Sequence, residues 1–244
     1  MQRGTRPRAL VSALGLTVGG SIACFVLFLT LRPLITGLFG EPLSDVAYVF
    51  RNRTIQWAFG LFAGGYLLAT RSWAEYARFR RPTLRDASWT LIGLVGIRAM
   101  TRFEKLVLSA VGLSLDPLSN PVPRDVGLGS WPLLWPAVFV ALYLVPAILE
   151  EQFYRGLVQT RLREAYSPAG EVALGAGCFA LSHQVWVLGA GPELMATYAF
   201  HIFAQGLVFA LVYQRTDNLL TAAAVHSLTW AGAYGALTGL LGLP

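Results

Sequence analysis

The feature that most constrains this chain is the length of its uncharged segments. About one residue in four is charged in an ordinary soluble domain, so runs of this length without charge are foreign to one. A helix that crosses a bilayer needs about 20 consecutive apolar residues, with a range of roughly 17–25. Runs without Asp, Glu, Lys or Arg occupy residues 9–31, 54–70, 131–149, 172–192, 194–214 and 218–244.

The composition of the whole chain favours a polytopic membrane protein over a soluble enzyme. The 244 residues are 55% hydrophobic and only 13% charged. We therefore predict an all-α fold, a polytopic transmembrane bundle of about seven helices that forms a single membrane domain. The net charge of +6 is typical of short basic loops beside a membrane, and we expect no nucleic-acid partner. Cys24 and Cys178 both lie in apolar runs, where we expect two small buried side chains and no disulfide.

Segment 88–113 supplies the seventh helix of this prediction, although it contains Arg98, Arg102 and Lys105. These residues recur at i, i+4 and i+7, so they share one helical face. That face either points into a polar cavity or lies along the membrane interface, and we favour a span. With this span, the segments on the N-terminal side of the membrane carry eleven arginines and the opposite loops carry four. Because basic loops stay inside, we predict a cytoplasmic N-terminus in a bacterial inner membrane.

The stretch "ILEEQFYRGL", residues 148–157, places three charges in apolar surroundings. A charge at membrane depth costs at least about 2.5 kcal/mol on insertion scales. Glu151 and Arg155 are spaced i, i+4 with the acid first, which favours an ion pair. Glu150 is rotated by about 100° around the helix and has no basic residue at i+3 or i+4. Glu150 is therefore the carboxylate that remains for a function such as general-base catalysis.

Two histidines accompany this carboxylate in the C-terminal half of the chain. His183 lies in the run 172–192 and His226 in the run 218–244, and polar groups at such depth usually face the bundle interior or a water-filled cavity. Glu with His is typical of water activation, with or without a metal, and of proton-coupled transport. No HExxH or GxSxG sequence occurs, so a zincin or serine-hydrolase site has no support. We assign His201 to helix packing.

These residues resemble the CAAX-protease and bacteriocin-processing (CPBP) family of intramembrane endopeptidases, which includes the type II prenyl proteases. That family carries EExxxR, FxxxH and then HxxxN or HxxxD on successive membrane helices. Glu150–Arg155 fits the first motif, Phe179–His183 fits the second, and His226 fits the start of the third. The resemblance separates N-terminal membrane helices, residues 1–129, from a CPBP-like catalytic helical core, residues 130–244, within one membrane domain.

The resemblance implies hydrolysis of a peptide bond within the membrane. Glu150 would be the general base for water, with His183 assisting it. His226 and the residue four positions later would stabilise the tetrahedral oxyanion. Glu151 would belong to the catalytic set through its pairing with Arg155, which gives structural support.

Two points of the resemblance stay open. The third motif expects Asn or Asp at position 230, and this chain has Trp230, which offers one N–H donor and no acceptor. Trp230 is therefore an uncertain oxyanion donor. His183, His226 and Glu150 can ligate zinc with one position open, but they can equally hold a water molecule without a metal.

We thus expect an intramembrane endopeptidase that acts on a membrane-associated peptide or protein. Its expected partners are that substrate and the lipid bilayer. The alternative is a catalytically impaired membrane scaffold, or a bacteriocin-immunity-type protein, of the same family. A proton-coupled transporter is the least favoured function, because no pair of segments shows the breaks of an inverted repeat.

Overall fold

The computed structural model describes residues 5–40, 43–114 and 132–231. These ranges are helical and contain no β-strand, which confirms the predicted all-α fold. The helices are α1 (Arg6–Phe39), α2 (Asp45–Asn52), α3 (Thr54–Thr70), α4 (Trp73–Tyr76), α5 (Leu84–Ala110), α6 (Trp135–Arg163), α7 (Pro168–His183), α8 (Pro192–Thr216) and α9 (Leu219–Trp230).

Seven of the helices just named are long, and each falls on one of the seven predicted segments. The last predicted segment, 218–244, is described only as far as Ala231, and its remainder lies outside the described residues. Among the helices of the described ranges, α1, α6 and α8 are long and apolar enough to cross a membrane. The fold is that of a helical membrane bundle.

The charged helix α5 runs antiparallel to α8 along most of its length. Near its start, Arg85 Nη2 donates to the carbonyl oxygen of Arg215 at 2.9 Å. Towards its end, Glu104 Oε2 lies 2.7 Å from His201 Nδ1. The side chain of Glu104 is buried whereas Arg102 is exposed. The helix therefore extends along its neighbour in the bundle, and its crossing of the membrane stays a prediction.

Several connections between helices meet at one end of the bundle, which we name the basic end. There the Asp217 carboxylate accepts hydrogen bonds from Arg78 at 2.9 Å and from Arg163 at 2.8 Å. The Tyr166 hydroxyl donates to the carbonyl oxygen of Arg6 at 3.1 Å. The segments that contain these residues are all assigned to the same side of the membrane by the arginine count made from the sequence. Which side that is, cytoplasmic or external, remains a prediction.

A buried carboxylate joins the starts of α5 and α9. Asp86 caps α5 together with Thr83, and its Oδ1 accepts from Thr221 at 2.7 Å and from Asn218 at 3.4 Å. Burial alone raises the pKa of Asp86, but hydrogen bonds from Thr83, Thr221 and Asn218 outweigh it and hold the pKa below its usual value. Its contribution to stability is therefore present above the unfolded-state pKa and is lost as the pH falls through the folded-state pKa.

Helix α6 is wound irregularly around the carboxylate pair. It contains two π-helical segments, Val140–Leu144 and Gln152–Gln159, with the α-helical stretch Val145–Glu151 between them. Such segments are rare and frequently occur at functional sites. Glu150 and Glu151 end the α-helical stretch, so the change in winding begins directly after them.

The close approach of α9 to α5 generates a stability prediction. A Cβ added at Gly93 would lie 2.7 Å from Val225 Cγ2, and the β-branched valine has little freedom to turn away. We expect Gly93→Ala to push α9 outward and to lower the free energy of unfolding by about 1–3 kcal/mol. Thermal unfolding of the purified protein in detergent measures this loss.

Gly65→Ala is the matched control, because a Cβ at this position on α3 meets nothing within 4 Å. Alanine is the better helix former by roughly 0.5–1 kcal/mol, so its Tm should equal or exceed that of the wild type. A Tm for Gly93→Ala as high as that of Gly65→Ala would contradict the close packing of α9 on α5.

Candidate active site

The two adjacent carboxylates of α6 are both buried but face different neighbours. The exposed fraction is 1% for Glu150 and 0% for Glu151. Consecutive residues of a helix point about 100° apart, so the two side chains enter separate surroundings.

Both oxygens of Glu151 are engaged. Oε2 accepts from Arg155 Nε at 2.8 Å, in an ion pair with no exposed side-chain surface. Oε1 lies 2.7 Å from His226 Nδ1, which must donate if the carboxylate is ionised. The i, i+4 ion pair expected from the sequence is therefore present, and α9 contributes a second partner that spacing along α6 could not reveal.

Glu150 is only partly satisfied. Its Oε1 lies 3.5 Å from His183 Nε2, a contact at the outer limit of a hydrogen bond. Its Oε2 is buried and has no hydrogen-bond partner within the described part of the chain. A buried acceptor without a partner costs about 1–3 kcal/mol, so this oxygen is the one whose position needs an explanation from function.

The orientation of His183 follows from its other ring nitrogen. Nδ1 lies 2.8 Å from the carbonyl oxygen of Phe179. A carbonyl oxygen only accepts, so Nδ1 carries a proton. In the neutral ring Nε2 then holds a lone pair towards Glu150. Two acceptors at this separation are suited to share a proton, or to accept the two protons of one water molecule.

A small cavity of about 20 Å³ adjoins this pair of acceptors. A cavity of about 10–15 Å³ is enough for the centre of one water molecule, which also needs two to four polar partners. The Tyr154 hydroxyl donates to Ser182 Oγ at 2.6 Å on the cavity wall. The polar residues that line the cavity are Ser21, Gln56, Glu150, Tyr154, Ser182 and His183.

His226, the second partner of Glu151, packs against aromatic rings. Its ring is stacked on Phe209 with a centroid distance of 4.4 Å, and its centroid lies 4.1 Å from that of Trp230. Arg53 also lies over the Trp230 ring, with its Cζ 3.7 Å from the ring centroid. The position at which the resemblance expects Asn or Asp is thus occupied by an indole that contacts both an imidazole and a guanidinium.

A comparison with protein families gives a match over the segment that contains α6 to α9. Residues 131–231 match the family described as type II CAAX prenyl endopeptidase Rce1-like. The match covers the segment that carries α6 to α9, which is similar to that family. The resemblance stated from the three motifs is thereby confirmed. Searches among curated proteins and among solved structures gave no match.

Some of the residues that line or surround the cavity lie outside the matched segment 131–231. Sequence reasoning missed Gln56 of α3, which lines the cavity, and Arg53, which lies between α2 and α3. The only signal for them was their position at the start of the uncharged run 54–70, where a polar side chain can reach into the bundle. The CAAX-endopeptidase helices therefore do not enclose the site alone.

The candidate zinc ligands do not form a ligand set. In the described parts of the chain, no group of three or more His, Cys, Asp or Glu side chains is arranged to hold a metal ion. His226 directs its Nδ1 to Glu151, so this nitrogen is already engaged and is not free to bind a metal ion. The site as built does not fit zinc, and we derive no step through a metal ion.

His201 lies in a separate polar cluster, in keeping with its assignment to helix packing. Besides its contact with His201, the buried Glu104 carboxylate accepts from Gln205 Nε2 at 3.1 Å. This cluster links α5 to α8, and none of its members lines the cavity beside Glu150.

The different surroundings of the two carboxylates predict different effects of one substitution. Glu151→Gln removes the charge that Arg155 and His226 share, and breaking a buried pair costs about 3–5 kcal/mol. Glu150→Gln removes a charge whose Oε2 has no partner, so we expect the free energy of unfolding to change by less than about 1 kcal/mol. Unfolding of both variants in mixed micelles measures the two losses. Equal losses would contradict the division between a paired and an unpaired carboxylate.

Proposed function

We propose that this protein is an intramembrane endopeptidase in which Glu150 activates a water molecule for attack on a peptide bond. The family of residues 131–231 is one of CAAX-type endopeptidases. One observation carries the proposal within that family. Glu150 has a buried oxygen without a partner beside a cavity with room for one water molecule, while the adjacent Glu151 is fully paired.

The proposed reaction is a hydrolysis in two proton transfers. A water molecule held by Glu150 and His183 attacks the peptide carbonyl carbon, and its proton passes to the Glu150 carboxylate. The carbonyl oxygen gains the electron pair and becomes an oxyanion. When the pair returns, the carbon–nitrogen bond breaks, and Glu150 passes its proton to the leaving nitrogen. The products are an amine and a carboxylic acid, which then releases its proton to the solvent, and Glu150 is ionised again.

The second carboxylate supports this reaction through His226. With Nδ1–H donated to Glu151, the charged form of the His226 ring presents Nε2–H as a further donor. A carboxylate behind an imidazole fixes its tautomer and stabilises the imidazolium. Arg155 holds Glu151 in place by the ion pair. This gives His226 a role in binding the oxyanion, as the resemblance implies.

The substrate of the proposed reaction is a peptide or protein associated with the lipid bilayer. The cavity of about 20 Å³ accepts a water molecule but not a peptide segment, so substrate binding requires that a lining element moves. Trp186 belongs to one such lining element. It lines the cavity and packs edge-on against Phe25 and Phe28 of α1.

A second candidate function is favoured by Trp230 alone. If the indole leaves the oxyanion without a donor at this position, the chain is a catalytically impaired scaffold or an immunity-type protein of the same family. The polar groups would then serve only to hold the helices together. A cleavage assay separates this function from the endopeptidase.

We expect the purified protein in proteoliposomes to cleave at least one member of a panel of lipid-anchored fluorogenic peptides, including a prenylated one. Loss of a general base lowers rates by about 10²- to 10⁴-fold, so Glu150→Gln should reduce kcat by that factor, and His183→Ala should reduce it strongly. Turnover is followed by fluorescence and by mass spectrometry of the products.

Glu164→Gln is the matched control, because Glu164 lies just beyond α6 in a half-exposed pair with Arg161. It should retain the wild-type kcat. Wild-type turnover that Glu150→Gln leaves unchanged would contradict the proposed base. The absence of turnover with every peptide would favour the scaffold.

A further inference from the structure

Arg53 is a cation at the site that neither motif nor mechanism has used. It lies where α2 ends and α3 begins, outside the segment that matches the family. Its guanidinium lies over the Trp230 ring, with Cζ 3.7 Å from the ring centroid, and its Nε is buried with no hydrogen-bond partner among the residues described. An aromatic face attracts a cation but accepts no ordinary hydrogen bond. The contact therefore holds the guanidinium without using its N–H donors.

The surroundings of Arg53 connect it to the reacting groups. Gln56, one helical turn further along α3, lines the cavity beside Glu150. Trp230, on which Arg53 rests, contacts His226 with a centroid distance of 4.1 Å. Arg53 and Glu150 are also close enough for their opposite charges to attract each other. A guanidinium with unused donors thus stands next to the place where the proposed reaction develops negative charge.

The immediate neighbours of Arg53 do not explain its presence as a structural ion pair. Trp230 packs with an apolar cluster that contains Val49, Leu142 and Tyr143, and Arg53 lies 5.7 Å from the Tyr143 ring centroid. No salt bridge from Arg53 to a carboxylate occurs among the described residues. A cation at a low-dielectric site that is attracted by Glu150 but forms no salt bridge with it is suited to bind an anion that develops in the reaction.

We propose that Arg53, held on the indole of Trp230, donates a hydrogen bond to the oxyanion of the tetrahedral intermediate. The proposal rests on the proposed hydrolysis. Arg53 supplies the donor that the family motif places at position 230, and Trp230 serves as its support. The guanidinium remains protonated throughout, so it transfers no proton. It stabilises the extra electron pair on the carbonyl oxygen until that pair returns and the carbon–nitrogen bond breaks.

A donor to the oxyanion acts on the transition state more than on the bound substrate. Loss of one such donor lowers kcat by about 10²- to 10³-fold in other enzymes. We therefore expect Arg53→Gln to lower kcat by about that factor while KM stays within about threefold. Arg53→Lys keeps the charge but not the planar fork, so it should retain an intermediate rate.

The exchange of donors gives a readout that a purely structural arginine would not. Asn at position 230 restores the donor that the motif expects, so Trp230→Asn added to Arg53→Gln should regain at least about tenfold of the lost kcat. Arg51→Gln is the matched control, on the short helix α2 that ends just before Arg53. Arg51 lies over the Tyr48 ring and donates to Thr36, and its substitution should leave kcat unchanged.

All variants are measured in proteoliposomes with the peptide that the wild type cleaves best, after their Tm has been compared with that of the wild type. A kcat of Arg53→Gln within threefold of the wild type, with Glu150→Gln inactive, would overturn the role of Arg53 and leave the proposed hydrolysis standing. If Arg53→Gln does not fold, Arg53→Lys decides, and full activity in that variant overturns the proposal. A wild type without any turnover overturns both.

Discussion

The site depends on one buried carboxylate that an arginine and a histidine share. Glu151 binds Arg155 of its own helix and His226 of α9, so a single negative charge joins helices that are far apart in the sequence. In a low-dielectric interior the Arg155 guanidinium is costly without its carboxylate partner. Glu151 therefore fixes the position of α9 and of His226, and it leaves Glu150 as the carboxylate whose second oxygen has no partner. The two adjacent glutamates therefore have different roles because they contact different residues.

Much of this arrangement can be predicted from sequence because it is local or repeats a known pattern. The i, i+4 spacing of Glu151 and Arg155 predicts their ion pair, and the uncharged runs predict the long helices. The contact between Glu150 and His183 follows from the first two family motifs. The spacing of residues along one helix does not predict which side chains of a helix distant in the sequence they will contact. The contact of His226 with Glu151, and not with Glu150, is of this kind.

Contacts with residues outside the matched segment 131–231 are even harder to predict from sequence. Arg53 and Trp230 are separated by 176 intervening positions in the chain, and their stacking depends on how α3 and α9 pack. No motif places a cation opposite position 230. Trp230 read alone suggests a damaged site, whereas with Arg53 on its face it becomes one part of a two-residue arrangement. Substitution at one position of a family motif is therefore informative only together with whatever the new side chain contacts.

The central claim is that Glu150 activates water and does not itself attack the peptide bond. A single turnover in water enriched in ¹⁸O tests this most directly, with enzyme in excess over peptide and both followed by mass spectrometry. Direct attack by water predicts one ¹⁸O atom in the new carboxylate of the product and none in the Glu150 side chain. Appearance of ¹⁸O in Glu150 with an unlabelled product would show that Glu150 forms a covalent anhydride, and it would contradict the account.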